Sequence, residues 1–357
     1  MAARAASDKS ICIPAVGIIC IDLAQPLGKI YEDQQCYSYI AASYVKYLQS
    51  AGALVVPIWI GRDRDYYEGI MNLVNGVLLP GGAVFLDEDE TKEFKESKEF
   101  KESKEQPRLT NDCVAAAQHI YEIAMRKNAA GEHFPLWGTC LGFQLMMINA
   151  ARTKEVRTMC RKPRFEALPL QLTHDYAESQ MFKGKPAELA QQMTREPFAC
   201  HQHRYGIPET QLRRFKLHED WHVLATREDE EDAPRFVTLI EHRKYPIAGA
   251  QFHPEKVAHE LLFAKPDTCQ ASHTSSCIKL AQHFADFFVN ACRRNANRFA
   301  SPEQLACHMI CNWKPVFCGK FASSHWVECY VFEQDVDYPK EVAIVEEKVQ
   351  QPLAASK

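Results

Sequence analysis

The segment FPLWGTCLGFQLM, residues 134–146, sets a cysteine between two glycines where an apolar run gives way to a helical pattern. A buried strand ending in G-x-C-x-G and turning into a helix is a nucleophile elbow, because glycines two residues either side let the backbone turn sharply without a clash. Such a corner pushes the Cys140 thiol out at the carboxyl end of a strand. It also sets that thiol at a helix N-terminus, where the dipole favours the thiolate that acts as nucleophile. The Leu141 N–H then becomes a donor for an oxyanion. Standing alone, Cys140 is one of fourteen cysteines, and free cysteines are common in protein cores.

A second constellation changes that reading. GAQFHPEK, residues 249–256, ends an apolar strand on His253-Pro254-Glu255, with an imidazole and a carboxylate two residues apart and a proline stiffening the turn between them. A cysteine nucleophile needs a base to take its proton and an acid to orient that base. Cys140, His253 and Glu255 supply the three in that chain order; an α/β-hydrolase would place its acid ahead of the histidine. The oxyanion on the attacked carbonyl needs a second donor, and Pro80-Gly81-Gly82, one strand earlier than the elbow, offers the amide of Gly81 or Gly82.

These side chains require a scaffold that brings strand ends together. The first 150 residues alternate strand and helix patterns, which build a parallel sheet covered on both faces. Ala15 to Ile21 reads as a first buried strand. Ile40, Ala41, Tyr44, Val45 and Leu48 recur at helical spacing within YSYIAASYVKYLQSAG. Ala53 to Ile60 reads as a strand that Pro57 demotes to an edge or an end. Gly76 to Leu79 forms the strand before the glycine turn, Asp112 to Met125 a helix, and Phe143 to Ala151 the helix after the elbow. In the less regular second half, Phe236 to Glu241 and Ile247 to Phe252 read as a hairpin, Ile278 to Ala291 as a helix, and Trp326 to Phe332 as a late strand; the tail from Glu346 reads as frayed. KEFKES stands twice in tandem, at Lys92 to Ser97 and Lys98 to Ser103, inside a charged stretch from Asp87 to Arg108, which reads as a solvated excursion, helical or disordered.

PGG, WGTCLGFQ and QFHPEK, in this order and spacing, resemble the class I glutamine amidotransferase-like family. Within it the chain is most similar to the γ-glutamyl hydrolases, which trim folylpolyglutamates, through YIAASYVKYLQSAGALVVPIWI, NGVLLPGG, FPLWGTCLGFQ, the MF of ESQMF around Met181, and YPIAGAQFHPEK. The resemblance implies a three-layer α/β fold, flavodoxin-like, with a mostly parallel central sheet and helices on both faces. It implies one catalytic domain over residues 10–335, from which the charged surface insert at 87–108 departs, with a tail at 336–357. The thiolate and base of the family fall on Cys140 and His253, the triad acid on Glu255, and a histidine that binds or polarises substrate on His203 in HQHRYGI; a surface histidine in a run with His201 is the plainer reading of the last. Gln144 stands four residues after the nucleophile, where amidotransferases hold the α-amino acid end of their substrate. The implied reaction is hydrolysis of γ-glutamyl bonds of pteroylpolyglutamates through a γ-glutamyl thioester, with no metal or organic cofactor; beyond that small-molecule substrate, a homodimer is the one partner reading. A glutaminase subunit of an amidotransferase and an inactive binding protein of the same fold are the rival readings.

Composition excludes several other classes. An apolar share of 46%, a charged share of 25% and a net charge of −4 match an ordinary globular protein, without the basic footprint of a nucleic-acid binder. No apolar run reaches the roughly 18 residues of a membrane span. The cysteines form no CxxC pair that would anchor a zinc site. The start, MAARAASDKSICIPAVGIICID, reads as leading into the first strand rather than as a secretory signal, since Pro14 and Gly17 interrupt its apolar run. Members of the family usually enter the secretory pathway, so the resemblance implies a lysosomal or extracellular place and the missing signal a cytoplasmic one.

Overall fold

The computed structural model describes residues 13–23, 27–28, 35–96, 111–228, 235–261, 272–321 and 324–342. The second KEFKES copy and the tail from Glu346 lie outside them. Fourteen strands run among the described residues: β1 Ala15–Ile19, β2 Ile21–Asp22, β3 Cys36–Ala41, β4 Leu54–Ile58, β5 Gly76–Leu79, β6 Leu136–Thr139, β7 Thr158–Leu168, β8 Gln171–Leu172, β9 Ala199–Pro208, β10 Trp221–Arg227, β11 Phe236–His242, β12 Ile247–Ala250, β13 Val316–Phe317 and β14 Glu328–Glu333. The helices are α1 Ala42–Ser50, α2 Arg64–Met71, α3 Glu88–Glu96, α4 Asp112–Ala129, α5 Leu141–Ala151, α6 Ala187–Met193, α7 Glu209–Arg214, α8 Lys256–His259, α9 Ser275–Cys292 and α10 Pro302–His308.

The central sheet has the order β4-β1-β5-β6-β12-β11-β10-β8. Its first five strands are mutually parallel, and β11, β10 and β8 continue it antiparallel. β1, β5, β6 and β12 are buried along their whole length, as continuous apolar strands of a sheet covered on both faces must be. One covering layer is α1, α8 and α9, the other α2, α4 and α5. This is the three-layer α/β architecture expected. β4, with Pro57, is an edge strand of the central sheet, because proline cannot donate to a second neighbour.

One reading is corrected. Ile40 and Ala41 belong to β3, not to the helix that follows; β3 pairs with β2 and β14, and that pairing overrides a helical spacing that holds only from Ala42. The late strand is present as β14, but it joins a separate antiparallel sheet in the order β13-β14-β3-β2. The hairpin of β11 and β12 forms with Leu239 opposite Ala250. The ribbon of β7 and β9, which leaves the central sheet where β9 meets β11, was not read from the sequence.

Packing beneath the elbow is aromatic. Trp137 on β6 is buried and lies 6.1 Å from Phe284 and 6.3 Å from Phe288, both on α9, and its Nε1–H donates to Thr139 Oγ1 at 3.0 Å. Each large ring buried there contributes roughly 1.5–3 kcal/mol by removal of apolar surface from water. That packing holds the end of β6 in place one residue before Cys140.

Candidate active site

Three parallel strands end side by side, and each hands over to a segment already singled out. β5 runs into Pro80-Gly81-Gly82, β6 into Cys140, and β12 into Gln251-Phe252-His253. Crevices outside the carboxyl ends of parallel strands are where α/β folds place their ligands.

Cys140 has φ 51° and ψ −103°, a left-handed backbone that costs a non-glycine residue of the order of 1–3 kcal/mol. Three backbone hydrogen bonds hold the turn: Cys140 N–H donates to Ala250 O at 2.8 Å, Gly142 N–H to Pro80 O at 3.1 Å, and Gln144 N–H to Cys140 O at 3.0 Å. Gly142 has no alternative residue, since a Cβ there would sit 2.0 Å from Leu79 O. The Cys140 thiol lies 3.7 Å from Gln202 O. Among the described residues the Leu141 N–H, at the first position of α5, meets no protein acceptor.

His253 is buried, its N–H donating to Cys200 O at 2.7 Å and its Nδ1 lying 2.7 Å from Glu255 Oε1. A Cβ at Gly81 would meet His253 Cε1 at 2.6 Å and Cys140 Cβ at 3.2 Å, so both side chains lie against one glycine. Burial alone would depress the His253 pKa, but the charges of Glu255 and then Cys140, with hydrogen bonds to both, raise it from 6.5 to about 10. The imidazolium is thus the favoured form of His253 at neutral pH.

Residues 14–255 match the family model described as Peptidase C26. The chain belongs to the Peptidase C26 family. It is 30% identical over 332 residues to Gamma-glutamyl hydrolase of Homo sapiens, with 90% of each chain covered. It is 30% identical over 328 residues to Gamma-glutamyl hydrolase B of Dictyostelium discoideum, covering 92% of this chain and 85% of that one. Among solved structures, the glutaminase domain of Trypanosoma brucei CTPS with bound acivicin aligns at 13% identity with a TM-score of 0.48, over 79% of this chain and 95% of that one.

In this C26 chain the other expected site residues fall as follows. His203 on β9 is buried, with Nδ1 2.9 Å from Tyr205 O and Nε2 3.1 Å from His201 Nδ1, so the two histidines form an internal pair and not a surface run. Gln144 lies one turn along α5 from Cys140, buried, with Nε2–H donating to Tyr205 O at 2.8 Å and Gln251 Oε1 at 3.1 Å, and Oε1 accepting from Arg157 at 2.7 Å. Gly81 donates its N–H to the Tyr44 hydroxyl at 2.7 Å, whereas the Gly82 N–H has no protein acceptor among the described residues.

Several participants escaped sequence reasoning. Tyr44, read only as an apolar position of a helix, places its hydroxyl 3.2 Å from His253 Nδ1 as well as on Gly81. Lys256, the residue after Glu255, is buried and donates to Gln202 Oε1. Arg157 and Glu90 form a buried ion pair behind Gln144. For Lys256 the neighbouring motif was a usable signal; for Tyr44, Arg157 and Glu90 there was none. Among the described residues no group of three or more His, Cys, Asp or Glu could hold a metal ion, and no helix is long and apolar enough to cross a membrane.

Proposed function

We propose that this chain hydrolyses γ-glutamyl amide bonds, with Cys140 as nucleophile, His253 as acid and base, and Glu255 orienting and charging that imidazole. The Cys140 sulfur attacks the γ-carbonyl carbon, and the negative charge that develops on oxygen is met by the Leu141 and Gly82 amides, which meet no protein acceptor among the described residues. His253 gives its proton to the departing amine nitrogen, leaving a γ-glutamyl thioester. Water, deprotonated by the now neutral imidazole, attacks the thioester, and the collapse of the second oxyanion returns the thiolate and releases the γ-carboxyl product. His203 is read, on the family likeness alone, as the histidine that binds or polarises the substrate.

The observation that carries the reading is the convergence of Cys140, His253 and Glu255 at adjacent strand ends in a chain alike over nine-tenths of its length to proteins named gamma-glutamyl hydrolase. The same likeness makes pteroylpolyglutamates the substrate class. It also makes a lysosomal or extracellular place the reading for this protein, with the cytoplasm as the alternative that imaging of a tagged chain would decide.

The test is incubation of the purified chain with a defined pteroylpolyglutamate, with mass analysis of both products and of acid-trapped protein. Expected are a shortened pteroyl product, released glutamate or oligoglutamate, and a γ-glutamyl adduct on Cys140, all absent in Cys140→Ala. Turnover that survives Cys140→Ala refutes the mechanism. Ammonia from free glutamine with no cleavage of the polyglutamate refutes the substrate class.

A further inference from the structure

The end of the central sheet opposite the thiol gathers cations that the proposed chemistry does not use. Outside the amino ends of β6 and β12, the turn joining β11 to β12 and the last turn of α9 border a solvent-open hollow of about 640 Å³. Small-molecule sites span roughly 300–1,000 Å³. Arg243 and Lys244 line it from the turn, Arg294 from just beyond α9, and His133 from the segment leading into β6. Tyr245 and Phe287, both half-buried, add apolar wall.

These cations stand on a braced frame, yet their charge is uncompensated. The N–H groups of Lys244 and Tyr245 both donate to His242 Nδ1 at 3.1 Å, and Arg243 N–H donates to Asp220 O at 2.8 Å, so the turn is fixed before any ligand arrives. Asn295 Nδ2–H donates to His133 O at 2.8 Å and ties the end of α9 to the same frame. Neither guanidinium has a hydrogen bond or ion pair to a described residue, and the Lys244 ammonium lies 5.3 Å from the centre of the Tyr245 ring. Glu241, the one carboxylate among the described lining residues, already accepts from Gln180 N–H at 2.7 Å and Met181 N–H at 3.1 Å. Three cations against that carboxylate leave a local positive surplus in a chain whose net charge is −4. Burial lowers the His133 pKa, and the charge of Arg294 lowers it further.

Guanidinium groups pair best with carboxylate and phosphate oxygens, in two-point contacts that a preset frame makes cheaper. We propose that this hollow binds a small oligoanion, whose carboxylate or phosphate groups engage Arg243 and Arg294 while its body rests on Tyr245 and Phe287. The site is separate from the catalytic cleft: Ile247 and Ala248 line it at the start of β12, and His253 lies beyond the other end of that strand. It goes beyond the hydrolase reading and stands without it. A free γ-linked glutamate oligomer and a phosphate ester are both anions of this kind.

The experiment is calorimetric titration of the Cys140→Ala chain with tri-γ-glutamate and with inorganic tripolyphosphate, repeated after adding Arg243→Gln or Arg294→Gln. Tri-γ-glutamate can also enter the catalytic cleft, so the component that counts is the one lost with the arginines. For at least one probe, Kd should weaken roughly 10- to 100-fold with each substitution, the range for loss of a charged hydrogen bond, and should weaken further as salt is raised. A larger loss for tri-γ-glutamate marks a carboxylate ligand, and a larger loss for tripolyphosphate a phosphate one. In the chain that keeps Cys140, Arg243→Gln and Arg294→Gln should leave kcat/KM for a γ-glutamyl anilide, and the thermal transition without probe, as in wild type, because both side chains are exposed. Arg213→Gln, an exposed arginine on α7, controls for overall charge. Titrations that both substitutions leave unchanged, no binding of either probe, or an equal loss in Arg213→Gln would overturn the site. Loss of kcat/KM in both variants would overturn its separation from the cleft.

Discussion

Replacing Glu255 by glutamine keeps the shape of the site and removes one charge. Glu255 is buried, and its carboxylate is the leading cause that raises His253 from 6.5 to about 10 against the pull of burial. That rise of roughly three pKa units is on the order of 4–5 kcal/mol in favour of the imidazolium. Glu255 is the larger of the two charges that raise the His253 pKa, so removing that charge lets burial pull it down and depletes the imidazolium at neutral pH. A second penalty comes from the tautomer. The amide of the new glutamine can donate to Nδ1 and so hold the ring proton on the nitrogen that must accept it from the thiol. Together these place kcat/KM of Glu255→Gln about 10²-fold or more below wild type at neutral pH.

The assay is kcat/KM for a γ-glutamyl anilide across pH, alongside the rate of Cys140 alkylation by iodoacetamide. Stability gives an independent check. A histidine whose folded pKa is raised contributes stability in full below its unfolded value of 6.5 and loses it as pH climbs through about 10. The deficit of Glu255→Gln in unfolding free energy should therefore be largest near pH 6 and shrink towards pH 10. Wild-type turnover in Glu255→Gln, or a stability deficit that grows with pH, would refute the electrostatic argument.

Gly142→Ala should cost more than about 3 kcal/mol or prevent folding, because its Cβ would lie 2.0 Å from Leu79 O and 2.5 Å from Leu79 C, neither of which can move without breaking β5; chemical denaturation measures it. Tyr44→Phe keeps the ring but strands the Gly81 N–H and removes the hydroxyl beside His253 Nδ1. It should lower kcat roughly 10-fold with KM nearly unchanged, if an unmet N–H at the glycine turn costs about 1.4 kcal/mol in the transition state. Glu260 is pushed up to about 7 by burial, although its Oε2 accepts from Val327 N–H at 2.7 Å. A carboxyl with a raised folded pKa destabilises the fold progressively as pH climbs from its unfolded value of 4.5 to about 7 and fully above that, so Glu260→Gln should raise Tm at pH 8 by the equivalent of on the order of 3 kcal/mol and bring no gain at pH 4. Equal effects at both pH values would show that the charge of Glu260 is not the cause.

The chemistry of this chain was legible because it is written in contiguous stretches. An elbow needs its glycines two residues either side of the nucleophile, and a base held by its own acid needs both within one turn, so WGTCLG and FHPE carry their function in their spacing. The alternation of buried strands with helices was legible for a related reason: a parallel strand covered on both faces must be apolar throughout, as β1 and β5 are. Only tertiary structure decided the rest. Ile40 and Ala41 have helical spacing but lie in a strand, because the partner that claims them, β14, comes nearly three hundred residues later in the chain. Tyr44, Arg157 and Glu90 stand in no motif, since a hydroxyl, a guanidinium and a carboxylate can meet the thiol's neighbours from anywhere the fold brings them. The side chains that make and break bonds must keep a local geometry, and that leaves a mark in sequence; those that charge, cap and orient them need only proximity, which the chain acquires on folding.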